Sequence, residues 1–416
     1  GLVTQVFSTK AIEDLSGHLA IGHVRYSTTG SPIRENAQPI IVDWSRGRVA
    51  VAHNGNLLNA ARLRSSLEKE GYVFYSTSDT EVIAVLLARH LQNNSLEEAI
   101  ARTMQTIEGA YSIVVATETQ LAAARDPYGI RPLSLGKTAT GYVVASETCA
   151  LDISGASYVR DVEPGEILII DEHGLFSFVG QEKTRQSLCM FEFIYFARPD
   201  SYLYGKTLYE VRREMGRLLA REAPVEADIV MPVPDSGTPS AIGYAEEMGI
   251  PFGEGLIKNR YVGRTFIEPT QAIRQLGIRL KLNPLRSAIQ GKRVVLVDDS
   301  IVRGNTSKQI VAVMREAGAR EVHMRVSSPP VMWPCFYGID TANREELIAS
   351  SMSVEEIRKF IGADSLEYLT LESLVTSTGR EANEFCLACL NGNYPIDVPR
   401  DVKLTKMILE NGEPGE

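Results

Sequence analysis

A run of mostly β-branched residues, Val294-Val295-Leu296-Val297, ends in two adjacent carboxylates, Asp298 and Asp299, and continues as Ser300-Ile301-Val302-Arg303-Gly304-Asn305-Thr306-Ser307. A buried strand that breaks into a small-residue turn and runs at once into a helix aims backbone N–H groups and the positive end of the helix dipole at one spot, where an anion binds. A phosphate over Arg303, Gly304, Asn305, Thr306 and Ser307 would meet those N–H groups together with the Thr306 and Ser307 hydroxyls. Asp298 and Asp299 have a separate chemistry: carboxylates there reach ribose hydroxyls, or share a hard divalent cation such as Mg2+ with a pyrophosphate. An acidic strand end with an ordinary helix cap would not need the acids, the glycine and the Thr-Ser pair in this order.

Other segments carry similar promise. Met231-Pro232-Val233-Pro234-Asp235-Ser236-Gly237 follows a second apolar run, and Lys258-Asn259-Arg260-Tyr261-Val262-Gly263-Arg264 is a basic loop suited to a doubly phosphorylated substrate. The first half holds three polar clusters: Gly22-His23-Val24-Arg25-Tyr26-Ser27-Thr28, Ala52-His53-Asn54-Gly55-Asn56-Leu57 and Ser76-Thr77-Ser78-Asp79-Thr80-Glu81. Five cysteines include the local pair Cys386-Leu387-Ala388-Cys389. In a reducing compartment such a pair points to metal or redox use rather than to a disulfide.

The elements that must position these residues differ between the halves. From about 20 to 180, short alternating runs (110–115, 120–125, 142–146, 167–170) separated by Asp126-Pro127-Tyr128-Gly129 and Glu163-Pro164-Gly165 predict strands and turns. Apolar spacing of three and four predicts helices over 59–70 and 80–92, so this half reads as stacked sheets covered by helices. From about 205 the pattern becomes helix (208–220), buried strand (228–233), helix (239–248), then strand (293–297) and helix (306–316), which predicts a parallel α/β sheet. Ligands bind beyond the carboxyl ends of such strands, so the loops after Val233 and Val297 are where chemistry is expected. The polar stretch 181–187 divides the halves, and the tail around 411–416 is expected to be loose.

At 416 residues the chain exceeds the roughly 250–300 at which one core stops growing, so two domains are expected. Hydrophobic residues make up 44% and charged residues 23%, with no apolar run long enough for a membrane helix. A formal charge of -9 argues against sequence-independent nucleic-acid or anionic-lipid binding, although it leaves room for a local anion site. No leader is evident, and the cytosol is the default compartment.

The 294–307 segment resembles the phosphoribosyl pyrophosphate (PRPP) signature of type I phosphoribosyltransferases. In that family the 231–237 segment looks like the pyrophosphate loop, with Ser236 a Mg2+ contact alongside Asp298 and Asp299, Ser300 is among the PRPP-binding residues, and Lys258, Arg260, Tyr261 and Arg264 look like the loop that closes over PRPP. The three clusters of the first half resemble the glutamine-hydrolysing domain of class II amidotransferases, which are N-terminal nucleophile hydrolases. That likeness implies Arg25 on the glutamine α-carboxylate, Asn54 and Gly55 in an oxyanion hole, and Asp79 on the substrate amino group. His23 and His53, each just before a substrate-binding position, are read as structural.

Together the two halves are similar to the glutamine PRPP amidotransferase family, in its iron–sulfur subclass. The implied fold is an α+β αββα sandwich over 1–185, lacking an N-terminal segment, then an α/β type I phosphoribosyltransferase domain over 186–375, with cluster ligands extending into a segment over 376–416. The implied reaction joins PRPP, glutamine and water to 5-phosphoribosylamine, glutamate and pyrophosphate, with Mg2+, feedback inhibition by purine nucleotides, and a homotetramer. Cys189, Cys335, Cys386 and Cys389 match the ligands of a [4Fe–4S] cluster of structural role, and zinc is the alternative for the same thiols. Cys149 is read as a buried thiol at a strand end. The family's nucleophile is an N-terminal cysteine acting with its own α-amino group; the chain starts Gly1-Leu2-Val3, so a longer protein is expected to use glutamine and this chain ammonia only. A PRPP-sensing regulator without catalysis, or a sugar-phosphate amidotransferase, would each fit one half alone.

Overall fold

The computed structural model describes residues 7–25, 30–31, 33–259, 282–341, 343–398 and 409. Two compact units emerge, the first comprising Gly1–Gly129, Val162–Lys183 and Lys406–Glu416, the second Ile130–Asp161 and Thr184–Thr405. The first is built on a six-stranded sheet in the order Ile40–Trp44, Gly47–Leu57, Gly109–Ala116, Leu121–Arg125, Glu166–Asp171, Gly174–Val179. All its neighbours are antiparallel. The helix Asp79–Leu91 is apolar nearly all round, and with Leu96–Thr106 it fills a core of Val82, Ile83, Leu86, Ile100 and Met104 against Val51, Ile113 and Val115. Asp79 and Glu81 in its first turn and Arg89 in its last complement the helix dipole, and Ser78 caps its start.

The second unit holds a four-stranded parallel sheet, Ile229–Pro232, Arg293–Asp298, Glu321–Val326 and Ser365–Tyr368, in that order. Val294, Val295, Leu296 and Val297 are fully buried, as a strand covered on both faces must be. After Ile229–Pro232 the chain passes through Thr238–Met248 to pair Phe252 with Val230, then crosses to Arg293–Asp298 on the other side. The order therefore reverses between these two strands, and their carboxyl ends open a crevice at the topological switch point. Residues 130–161 form a three-stranded sheet that belongs with this unit, whereas a single division at 185 would place them in the first. The hydrogen bonds give the reason: Cys189 N–H donates to Ile130 O, and the Glu147 carboxylate accepts from Arg198 N and the Ser201 hydroxyl. Cys149 is buried as expected but sits in the first turn of the helix Thr148–Ile153, not at a strand end.

Helices Leu208–Glu222 and Thr238–Met248 cross at contact between backbones. A Cβ on Gly216 would lie 1.9 Å from Ser240 O, and one on Gly243 1.9 Å from Arg213 O. Neither oxygen belongs to a side chain that could rotate away. Gly216→Ala is expected to lower unfolding free energy by about 3 kcal/mol through forced separation of the helices, read as a drop in the urea midpoint at unchanged slope; an unshifted midpoint would contradict the close crossing.

Candidate functional site

In the second unit the crevice is lined by two turns held against each other. Val233 N–H donates to Val297 O at 2.8 Å, fixing the 233–237 turn beside the end of the Arg293–Asp298 strand. Asp298 and Asp299 are buried, 7% and 6% exposed, which is costly for neighbouring carboxylates. Asp299 N–H donates to Asp298 Oδ1 at 2.9 Å, and the Ser300 hydroxyl donates to Asp299 Oδ1 at 2.6 Å. Burial, and then the charge of Asp299, hold Asp298 well above the usual carboxylate range. Burial raises Asp299 too, opposed by hydrogen bonds from Ser236 and Ser300 and by the charge of Arg212.

Gly304 adopts φ 75° and starts the helix Asn305–Glu316, whose first turn has neither a capping side chain nor an acid. Asn305 and Thr306 are exposed there and Ser307 is buried. Such an end leaves N–H groups available to an anion. Arg303, expected over the phosphate, instead donates from Nε to Glu346 Oε2 at 2.7 Å, with Asn343 Nδ2 holding the other oxygen at 3.2 Å. Ile348 N–H donates to Val302 O and keeps that segment against the turn. Lys258 pairs with Asp235 of the facing turn. Arg260, Tyr261 and Arg264 lie outside the described residues.

Sequence reasoning missed Arg212. It stands within the apolar stripe Leu208, Val211, Met215, Leu219, yet is 2% exposed. Its guanidinium donates to Phe193 O (2.8 Å), Ala197 O (2.6 Å) and Glu192 O (3.2 Å), closing the π-helical turn Glu192–Phe196. Burial lowers its pKa, and the charge of Asp299 opposes that shift. A lone arginine on a core-facing stripe was the available signal.

In the first unit the strand Gly47–Leu57 carries His53, Asn54 and Gly55 opposite Ile113, Ser112 and Tyr111. Gly55, at φ 149°, leaves no room for a side chain, since a Cβ would lie 2.0 Å from Ala110 O. Asp79 is buried at the helix start, where Oδ2 accepts from Leu57 N–H at 3.0 Å and lies 3.6 Å from His53 Nδ1. Burial raises its pKa, but His53, then the backbone donors, bring the net value below the ordinary carboxylate range. His23 is pushed down to about 4 by burial and by the neighbouring charges of His53 and Arg25. Both histidines thus adjoin the expected substrate contacts, and His53 directly orients Asp79. Arg25 donates to Ser31 O at 3.1 Å and Gly30 O at 3.2 Å.

Among the described residues, no three or more His, Cys, Asp or Glu side chains converge as ligands for a metal ion. At the acid pair this leaves two carboxylates and two hydroxyls, an oxygen donor set of the kind Mg2+ uses alongside water and substrate phosphates. The four expected cluster cysteines are nevertheless brought together. Leu188–Cys189 and Phe385–Cys386 pair in parallel with Cys189 directly opposite Cys386, and Cys389 lies within electrostatic range of Cys189, Cys335 and Cys386. None is in a disulfide. Burial pushes the Cys189 thiol up to about 12 and raises Cys335 and Cys389 as well.

Residues 23–152 match the family described as "Glutamine amidotransferase domain" and residues 205–328 the one described as "Phosphoribosyl transferase domain". The two matches define a glutamine amidotransferase domain joined to a phosphoribosyltransferase domain in one chain. Amidophosphoribosyltransferases of Synechococcus elongatus (51% identical, 99% of this chain and 84% of the relative) and Archaeoglobus fulgidus (52%, 96% and 88%) are similar along nearly the whole length. The solved glutamine PRPP amidotransferase of B. subtilis, complexed with ADP and GMP, superimposes with a TM-score of 0.90 at 50% identity, covering 96% of this chain and 88% of that one. The chain belongs to the amidophosphoribosyltransferase family.

Proposed function

We propose that the second unit exchanges the pyrophosphate of PRPP for ammonia, and that the first unit releases that ammonia from glutamine. Water converts glutamine to glutamate and ammonia; the C1–N bond then forms as the C1–O bond to pyrophosphate breaks, giving 5-phospho-β-D-ribosylamine, the opening step of purine nucleotide synthesis. The observation that carries this reading is the juxtaposition of a buried acid pair with an uncapped helix end, across a switch-point crevice from the Ser236 turn. Asn305, Thr306 and Ser307 hold the ribose phosphate, Asp298 and Asp299 orient the ribose hydroxyls, and Ser236 faces the pyrophosphate. Asp298, Asp299 and Ser236 would also hold Mg2+, which neutralises the leaving pyrophosphate. Arg303 meets phosphate once it exchanges Glu346 for the substrate.

The Cys189, Cys335, Cys386 and Cys389 thiols suit a [4Fe–4S] cluster in number and chemistry. Zinc is the alternative for the same thiols. Purine nucleotides, which present a phosphate and a ribose in the same order as PRPP, are the proposed feedback ligands.

The test follows pyrophosphate release from PRPP and Mg2+ with ammonium or glutamine as donor. None of the five cysteines falls in the first unit, so ammonium isolates the transferase. Ammonium-dependent release of pyrophosphate is expected. Folded, iron-containing protein that binds PRPP but turns over with neither donor would overturn the reading in favour of a regulator.

A further inference from the structure

Asn36 is fully buried and lies outside every cluster that the chemistry singled out. Its side-chain amide is bonded on both sides. Oδ1 accepts from Thr77 N–H at 2.8 Å, while Nδ2 donates to Thr77 Oγ1 at 2.8 Å and to Ser31 O at 2.8 Å. Ser31 O is also one of the two carbonyls that receive the Arg25 guanidinium, Gly30 O being the other. Thr77 stands two residues before Asp79, in a segment fastened from its other side by Glu81, whose carboxylate accepts from Tyr75 N, Ser76 N and the Ser76 hydroxyl. One amide therefore joins the loop that aims Arg25 to the turn that presents Asp79.

A buried amide with three short bonds has one orientation, because reversing it would set donor against donor at Thr77 N–H and acceptor against acceptor at Ser31 O. An arginine that recognises a carboxylate bidentately tolerates little rotation, so its supporting carbonyls must be held as firmly as its own side chain. We infer that Asn36 is a positioning residue for glutamine recognition, setting the Arg25 guanidinium at a fixed distance from Asp79 so that the α-carboxylate and α-amino group of one amino acid are read together. The inference rests on the reading that Arg25 and Asp79 hold those two groups.

The experiment measures binding of glutamine and of its α-amide by calorimetry, in the full chain and in Asn36→Ala, Asn36→Asp, Thr77→Val and Arg25→Ala. The α-amide keeps the amino group and side chain but lacks the carboxylate, so its binding reports a folded site that does not depend on Arg25. Asn36→Ala is expected to weaken glutamine about tenfold, roughly the loss of one well-formed hydrogen bond to a charged partner, and to leave the α-amide nearly unchanged. Asn36→Asp should match it despite equal size, since a carboxylate cannot donate to Ser31 O. Thr77→Val, which removes the Oγ1 hydroxyl that accepts from Nδ2 and keeps the Thr77 N–H that donates to Oδ1, should show the same selectivity with a smaller loss. In the Arg25→Ala background the Asn36→Ala effect should vanish. Parent-like glutamine binding by the Asn36 variants, with Arg25→Ala deficient, would overturn the positioning role alone. Equal losses for glutamine and α-amide would reduce Asn36 to a structural residue and also overturn it. Unchanged glutamine binding by Arg25→Ala would bring down the underlying site assignment together with the inference.

Discussion

Asp298→Asn and Asp299→Asn, combined in one variant, are expected to lower ammonium-dependent pyrophosphate release by on the order of 1,000-fold, as removal of charge-stabilising groups from a preorganised site does, and to make the unliganded protein more stable near neutral pH. The two effects have one cause. Both carboxylates are almost wholly buried, adjacent, and raised above their ordinary pKa by burial. An acid whose folded pKa is raised contributes stability that is complete below its unfolded value, about 3.9 for aspartate, and lost as pH rises through the folded value. The parent therefore gives up stability between mildly acid and neutral pH that the asparagine variant keeps. Denaturation at pH 5 and pH 8 should show the variant's advantage growing with pH. Added Mg2+ and PRPP should reverse the order, because ligands that bind only the folded parent stabilise it by mass action. A variant less stable than the parent at both pH values without ligand would mean that the acids are held by partners rather than tolerated for function.

The strand-turn-helix around Asp298 was legible because each part has a local cause: a β-branched strand, a glycine at positive φ, and a helix beginning without an acidic first turn. The helices carrying Asp79 and Gly216 were legible for the same reason, their apolar spacing. What stayed hidden depends on partners far along the chain. Asn36 is one polar residue in an irregular stretch until Thr77 is folded against it, 41 positions away. Arg303 reads as a phosphate ligand from its place in the turn, and only the fold shows Glu346 on its guanidinium, 43 positions on. Residues 130–161 look like further strands of the first half, but the Glu147 carboxylate accepts from Arg198 N and the Ser201 hydroxyl of the second unit. His53, read as structural from the sequence, lies against Asp79, a contact that appears only once the strand and the helix start are folded together.

Cys389→Ser is expected to abolish iron binding and to lower the thermal midpoint by about 10 °C, whereas Cys149→Ser should do neither. The argument rests on what else could hold this region together. The ladder joining Cys189 to Cys386 is two residues long in each strand, too short to be stable alone. It nonetheless joins the beginning of the Thr184–Thr405 segment to its end, closing a loop that spans most of the second unit. Covalent closure of a loop longer than 100 residues is worth about 4–5 kcal/mol in chain entropy, and at the size of this unit about 4 kcal/mol shifts the midpoint by about 10 °C. Bonds from four thiolates to one inorganic core would provide that closure, adding Cys335 and the Cys389 turn, whose backbone oxygen accepts from Met332 and Trp333. Cys149 is also a thiol of this unit and is buried, but it sits on the helix Thr148–Ile153 and donates only weakly to Glu147 at 3.8 Å. It thus controls for loss of a buried thiol without loss of a ligand. The readouts are iron and acid-labile sulfide per chain, visible absorbance, and the melting curve under anaerobic conditions. Full iron content in Cys389→Ser would remove that residue from the ligand set. Stoichiometric zinc without sulfide in the parent would replace the cluster by a single ion.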